Sequence, residues 1–329
     1  MADNTGVMVY AEAGDGKLAA ISSELLGCGR RLADALREGL SAVLVGDGTK
    51  SLAAEAIAGG ADKVYVIEDA QLKDYQTDTY LAALEKVVKE TSPRVLLFGQ
   101  TSVGRDLAPR LAFRLETAAV TDCIELEIES GSRRLLQTKP VFGGNARAVF
   151  TSDTYPQIAT VRAKAMEPAV ADAARKGEII DFAVELPAPR ARVIEKVVEK
   201  VEGVRLEAAE VVVAGGRGIG SAEGFKQLEE LARLFKGAVG ATRPACDNGW
   251  VPDVLQVGLT GKIVSPNLYI AVALSGSSQH LAGCSGCKNI VAINKDPEAN
   301  IFREARFGVV GDWKKVLPAF MEKVREQLA

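Results

Sequence analysis

The sequence predicts an α/β protein of two domains, each built on a parallel sheet. Three observations carry this. Short apolar runs alternate with amphipathic helical stretches through residues 6–114, and such repetition implies a parallel sheet covered on both faces. The same rhythm restarts at Val211, after a segment of different composition. A length of 329 residues suits two domains or three.

Residues 6–10 (GVMVY) read as a buried strand. Residues 18–37 repeat apolar positions at helical spacing. A second strand, 42–46 (AVLVG), leads to a short Ala-rich helix at 51–57, and a third strand follows at 63–67 (KVYVI). Helix 78–90 gathers Leu81, Leu84, Val87 and Val88 on one face, and Pro93 ends it. A fourth strand, 95–99 (VLLFG), passes through a loop at 100–105 into helix 106–114. After Thr121 the runs shorten and some alternate in polarity, as in 124–129, 133–140, 147–150 and 158–162, with a turn at 142–145 (FGGN). These read as an antiparallel extension of the same domain, or a return into it. Residues 181–210 are rich in Val, Glu, Lys and Arg, with Pro187 and Pro189. The expected division is a first domain at 1–185, a linker or edge segment at 186–209 with its edge element at 196–204, and a second domain at 210–329.

The second domain opens with strand 211–214, a glycine turn at 215–220 and helix 223–236, which buries Phe225, Leu228, Leu231 and Phe235. Residues 268–274 (LYIAVAL) read as its central strand, with further strands at 289–293 and 307–310. A closing helix, 313–328, carries Trp313, Val316, Leu317, Phe320, Met321 and Val324 on one stripe.

Composition excludes several classes. Lys plus Arg number 40 and Asp plus Glu 43, a formal charge of −3; this lacks the basic field that nucleic-acid binding needs. No apolar stretch approaches a membrane span. The first residues resemble neither a signal peptide nor a transit peptide, so the expected location is the cytoplasm. Five cysteines, an odd count, argue against a disulfide framework. A single histidine, His280, removes metal sites built on several imidazoles.

Candidate chemistry gathers at strand ends of the second domain. Gly215-Gly216-Arg217-Gly218-Ile219-Gly220-Ser221 stands between a strand and a helix, the context of a phosphate-cradling turn. It is not the dinucleotide fingerprint, because reading from Gly216 the third glycine position is Ser221, and no Gly-Lys-Ser/Thr of a P-loop follows. Arg217 adds a guanidinium suited to phosphate; a plain tight turn is the alternative. Ser275-Gly276-Ser277-Ser278-Gln279-His280 follows the central strand, with a helix start near Gln279. An open parallel sheet places its ligand there. Two glycines flank Thr260 in 256–262 (QVGLTGK), and Thr242-Arg243-Pro244 offers a cation in a loop after the small residues 237–241. Asn294 and Asp312 stand where they reach a ribose or adenine edge or cap a turn. Together these loops suit an extended anionic ligand such as a dinucleotide.

The order GGRG at 215–218, TRPACDNGWVP at 242–252, QVGLTGKIVSPNLYIAVALSGSSQHLAG at 256–283 and VAINKDPEANIF at 291–302 resembles the alpha subunit of electron transfer flavoproteins. The first domain resembles the family in 101–109 (TSVGRDLAP), 142–146 and 160–162. The resemblance implies a nucleotide-binding-like (HUP-like) first domain facing a beta subunit and a Rossmann-like second domain that binds FAD. By motif, Arg217, Thr242, Arg243, Val257, Gly258, Leu259, Thr260, Ser275, Gly276, Ser277, Ser278, Gln279, His280, Asn294, Asp312 and Trp313 contact that cofactor. The residue matching Arg243 lies by the flavin ring, that matching Thr260 near N5, and that matching His280 near the pyrimidine carbonyl. No acid–base catalytic residue and no metal is implied.

Leu259 departs from the glutamine usual in the family and cannot donate a side-chain hydrogen bond. Cys284-Ser285-Gly286-Cys287 is not a family signature; its spacing allows redox, metal or plain packing roles, and no other Cys pair or His lies nearby to complete four ligands. Cys28, Cys123 and Cys246 read as packed residues. Residues 104–106 read as a loop shaping the subunit interface, or holding an anion. The implied activity is electron carriage from flavin dehydrogenases such as acyl-CoA dehydrogenases to a membrane-associated quinone oxidoreductase, with a linker that lets the FAD domain swing. Three rivals stay open: a bifurcating flavoprotein coupling NADH to ferredoxin and a second acceptor, an NAD(P)-dependent dehydrogenase, and a non-catalytic nucleotide-sensing or structural protein.

Overall fold

A computed structural model describes residues 4–14, 16–144, 146–195 and 203–328. Two compact units divide the chain: Met1–Val141 with Ala146–Lys196, and Phe142–Asn145 with Val197–Ala329. Most of the edge element read at 196–204, namely 196–202, lies outside the described residues.

The first unit begins with strands β1 (Val7–Tyr10), β2 (Leu40–Gly46), β3 (Lys63–Glu68) and β4 (Val95–Gly99). Helices α1 (Ala20–Leu36), α2 (Ala53–Ala58), α3 (Thr77–Thr91) and α4 (Ser102–Arg114) connect and follow them. Strands β5 (Ala119–Cys123), β6 (Glu125–Ile128), β7 (Leu135–Val141), β8 (Ala146–Phe150), β9 (Gln157–Val161) and β10 (Glu178–Asp181) complete it. Seven strands form one parallel sheet, in the order β10-β3-β2-β1-β4-β9-β5. The inner strands are buried on both faces, which is why they read as unbroken apolar runs. Leu25, Leu26 and Leu32 pack on one face; Leu84, Val87, Leu107 and Leu111 pack on the other.

The antiparallel reading after Thr121 is resolved in both its senses. Strands β8-β7-β6 form a separate three-stranded antiparallel sheet, and β9 returns to the parallel sheet between β4 and β5. The parallel strands β5 and β10 escape sequence reading because they are outer strands: β5 carries Thr121 and Asp122, and β10 (EIID) is largely exposed.

The loop read at 100–105 is too long. Helix α4 starts at Ser102, because the Thr101 hydroxyl accepts the Gly104 N–H at 3.0 Å and caps the helix. Residues 104–106 are therefore helical. Gly104 lies against the Gly99 carbonyl with no room for a Cβ. The Asp106 carboxylate accepts from the Tyr75 and Thr77 hydroxyls, each at 2.6 Å, and from Arg110 at 2.8 Å. These contacts tie Asp106 into the packing of α3 and α4.

The sheet switches direction between β1 and β4. There Glu12 accepts the Thr101 hydroxyl at 2.7 Å, and burial pushes its carboxyl up to about 7.

The second unit repeats the plan. Its strands are β11 (Val211–Gly215), β12 (Ala238–Ala241), β13 (Leu268–Val272), β14 (Ile290–Asn294) and β15 (Phe307–Val310). Its helices are α5 (Ala222–Leu234), α6 (Arg243–Asp247), α7 (Ser278–Cys284), α8 (Ile301–Glu304) and α9 (Trp313–Leu328). The strands are parallel, in the order β12-β11-β13-β14-β15. The chain runs outward from β11 to β12, then crosses back to β13, so the direction reverses between β11 and β13. Phe225, Leu228, Leu231, Trp313, Leu317 and Met321 cover one face, as their helical spacing predicts.

Two elements of this unit correct the sequence reading. The small residues at 237–241 include strand β12, and Arg243 begins helix α6 instead of lying in a loop. Gly240 packs closely there, since a Cβ on it would lie 3.0 Å from the Val257 side chain. Pro244 is accommodated because the first helical turn has no intrahelical acceptor for its missing N–H. Among the described residues no helix is long and apolar enough to cross a membrane.

Candidate functional site

Most of the predicted site residues cluster at the carboxyl ends of the second unit's strands, in the loops there and in the helix starts that follow them. Arg217 follows β11, Thr242 and Arg243 follow β12, Ser275 to Gln279 follow β13, Asn294 ends β14, and Asp312 follows β15. Parallel register carries all these ends to one edge of the sheet.

At the switch point two loops are stitched backbone to backbone. Gly216 N–H donates to Val272 O at 3.0 Å, and Gly218 N–H donates to Ala273 O at 3.1 Å. A Cβ on Gly216 would lie 2.5 Å from Ala273 O, and one on Gly218 2.8 Å from it, so the glycines permit this approach. Gly276 has φ +73° and meets Ile301 N with no room for a side chain. Ile301 N–H in turn donates to Ser275 O at 3.1 Å.

Val257 to Thr260 form a neighbouring loop. Val257 N–H donates to Ala241 O at 2.8 Å and Leu259 N–H to Gln279 O at 2.8 Å. Gly258, at φ +151°, lies where a Cβ would be 3.0 Å from Gln279 O. Val257 is buried, Leu259 is 61% exposed, and Thr260 is exposed with its hydroxyl accepting from Gln256 at 3.0 Å. The α7 helix, which carries Gln279 and His280, is thus bonded directly to this loop.

Three predicted contacts have structural duties in the described protein. Asn294 Nδ2 donates to Leu274 O at 2.8 Å while its Oδ1 accepts from Asp296 N–H at 3.0 Å, tying the β13 and β14 loops. Asp312 accepts from Lys314 N–H at 3.0 Å at the start of α9. Trp313 is buried, and its Nε1–H donates to Gly218 O at 3.1 Å.

His280 is turned inward. It is 4% exposed; Nδ1 lies 3.0 Å from Val257 O, and Nε2 lies 2.9 Å from the Tyr269 hydroxyl. Burial lowers its pKa to about 4. In this arrangement the ring is neutral and spends both nitrogens on protein. The resemblance places the residue matching His280 near the pyrimidine carbonyl; here its two ring nitrogens lie against Tyr269 and Val257. Two exposed cations are Arg217, which makes no ion pair among the described residues, and Arg243, held 3.4 Å from Asp247 with 68% of its side chain exposed.

The two thiols of the Cys-x-x-Cys segment each meet a backbone carbonyl. Cys284 is buried with Sγ 3.6 Å from His280 O, and Cys287 Sγ lies 3.9 Å from Val264 O. Cys28, Cys123 and Cys246 are buried, and burial pushes their thiols up to about 11, 12 and 11. Such thiols are poor nucleophiles at neutral pH.

The donor set suits a dinucleotide. None of the five backbone N–H groups from Ser275 to Gln279 has a protein acceptor among the described residues. Ser275, Ser277 and Ser278 are exposed in the same segment, and Arg217 is exposed in the neighbouring strand-end loop. Consecutive amides of this kind form an anion-binding concavity. Sequence reasoning picked out these residues by type. It missed Tyr269 and Ile301, whose roles come from what they touch and whose apolar surroundings mark them only as core.

Fold and loops together define a doubly wound α/β protein with donor-rich strand-end loops at its switch point, the place where such sheets bind phosphate-bearing ligands. Residues 7–187 match the family model described as the electron transfer flavoprotein domain, and residues 205–285 match the electron transfer flavoprotein FAD-binding domain. The chain is 43% identical to the electron transfer flavoprotein subunit alpha of Thermoanaerobacterium thermosaccharolyticum, over 99% of each chain. It is 41% identical to the subunit alpha of Bacillus subtilis, over 97% of each chain, and 41% identical to Protein FixB of Clostridium saccharobutylicum, over 99% of this chain and 98% of that one. The chain belongs to the electron transfer flavoprotein alpha subunit family, and its cofactor is FAD.

Proposed function

We propose that this chain is the FAD-holding subunit of a heterodimeric electron carrier, paired with an electron transfer flavoprotein beta subunit. It takes electrons from flavin dehydrogenases such as acyl-CoA dehydrogenases and passes them to a quinone oxidoreductase, working in the cytoplasm. The observation that carries this reading is the donor set at the strand ends: five amides without a protein acceptor among the described residues, exposed hydroxyls and two exposed guanidiniums. Such a set suits an extended anionic cofactor.

In this reading residues 1–185 face the beta subunit, 186–209 link, and 210–329 bind FAD. Reversible electron storage is the chemistry that bound FAD supplies. Ser275 to Gln279 and Arg217 bind the pyrophosphate. Thr242, Gly258, Leu259 and Thr260 line the flavin, with Arg243 supplying positive charge where negative charge develops on reduction. Asn294, Asp312 and Trp313 keep the loops in register.

The test is a stepwise reduction of the chain co-purified with its native partner, followed in the visible spectrum with flavin counted per heterodimer. One FAD per heterodimer, reoxidised by a quinone oxidoreductase, supports the carrier. Two flavins per heterodimer, with electrons from NADH divided between ferredoxin and a second acceptor, replace it with a bifurcating role. A colourless protein that cannot be reconstituted with FAD overturns both.

A further inference from the structure

Tyr269 stands on β13 and is fully buried. Its hydroxyl lies 2.9 Å from His280 Nε2, and His280 Nδ1 lies 3.0 Å from the Val257 carbonyl. The protons in this chain are determined by what each atom can do. A carbonyl oxygen only accepts, so Nδ1 carries a proton. The phenol O–H has no other acceptor among the described residues, so it donates to Nε2. Were Nε2 protonated instead, the buried O–H would be left without an acceptor. Tyr269 therefore selects one imidazole tautomer, and that tautomer is the one that can hold Val257.

Val257 opens the loop that runs to Thr260. The loop is held by Ala241 O through the Val257 amide, by Gln279 O through the Leu259 amide, and by the imidazole through the Val257 carbonyl. Two of the three bonds lead to α7. We propose that Tyr269 is a positioning residue for the cofactor, acting through His280: it locks the ring as an Nδ1–H donor, and so sets the height of the Val257–Thr260 loop beside α7. The relay itself rests on geometry alone. Its consequence for the cofactor rests on the reading that this loop lines the flavin.

The chain has one histidine, which makes the relay directly observable. The experiment is nitrogen NMR of the histidine-labelled chain in its FAD-loaded complex with the native partner, the signal being assigned by its loss in His280→Gln. The expected result is a protonated Nδ1 and an unprotonated Nε2, unchanged between pH 6 and 8. Tyr269→Phe should move the Nε2 signal, mix the tautomers, weaken FAD binding by about tenfold, as loss of one buried hydrogen bond implies, and shift the flavin absorption bands. A wild-type ring protonated at Nε2, or at both nitrogens at pH 7, overturns the relay without any variant. A folded Tyr269→Phe protein with unchanged ring signals and unchanged FAD affinity overturns the positioning role. A complex with the expected ring state that holds no FAD overturns the flavin reading and leaves the relay standing.

Discussion

The indole N–H of Trp313 donates to the carbonyl of Gly218 at 3.1 Å, tying the first residue of α9 to the glycine turn that follows β11. The ring also closes on α5, where a Cβ on Gly224 would lie 3.1 Å from it. One side chain thus holds the turn, the helix after it and the last helix of the chain together. Trp313→Phe keeps the packing and loses the donor, which should cost about 1 kcal/mol in urea unfolding. Trp313→Ala loses both and should cost about 3–5 kcal/mol. Equal destabilisation by the two variants would show that the indole N–H, not the ring, is what matters.

Gly276 combines φ +73° with contact against Ile301 N. Gly276→Ala should displace the amides of the β13 loop and leave the chain with less than a tenth of its FAD after purification. Flavin absorbance per protein is the measurement, and full retention would mean that these amides do not hold the cofactor.

Arg217 is exposed and makes no ion pair among the described residues. Arg217→Ala should leave the unfolding free energy within about 0.5 kcal/mol of wild type while weakening FAD binding several-fold. The loss should shrink as salt is raised, because an exposed charge interaction is screened. A salt-independent loss would argue against an ionic role.

The two units should respond to pH in opposite senses. In the first, the Glu12 carboxyl is raised from 4.5 to about 7 by burial. Its contribution is present below pH 4.5 and lost as pH rises through about 7, on the order of 3 kcal/mol. Glu12→Gln should therefore be more stable than wild type at pH 8 and lose this slope. In the second, His280 is lowered from 6.5 to about 4. Its contribution is present above pH 6.5 and lost as pH falls toward 4, by a similar amount, on the order of 3 kcal/mol. Thermal unfolding of wild type, Glu12→Gln and His280→Gln between pH 4.5 and 8 checks both signs.

Leu259 is 61% exposed beside Thr260. Leu259→Gln adds a side-chain donor to the loop proposed to line the flavin, and should change stability by less than about 0.5 kcal/mol while moving the flavin absorption bands and the first reduction potential. An unchanged spectrum would place the side chain away from the ring.

Much of this protein is legible in its amino acids because burial writes itself into composition. Strands covered on both faces, such as Val95–Gly99, must be apolar throughout, and helices such as α5 and α9 must carry an apolar stripe. Strand β12 was hidden because its four residues (AVGA) are mostly small and carry little apolar signal, with Gly240 packed against Val257. Strand β10 was hidden because an exposed edge imposes no apolar pattern. The glycine and serine loops stood out by residue type, since close backbone approach and anion binding demand particular side chains, or none.

The sequence by itself determined the alternation of strand and helix, the two-part organisation, the donor-bearing loops and the family. Only the tertiary structure decided the strand order, and with it the switch point between β11 and β13 that brings those loops to one crevice. It also decided that His280 is buried and bonded to Tyr269 and Val257. The reason is physical: local patterns report whether a residue is buried, whereas strand order, tautomer and hydrogen-bond partner depend on contacts between residues far apart along the chain.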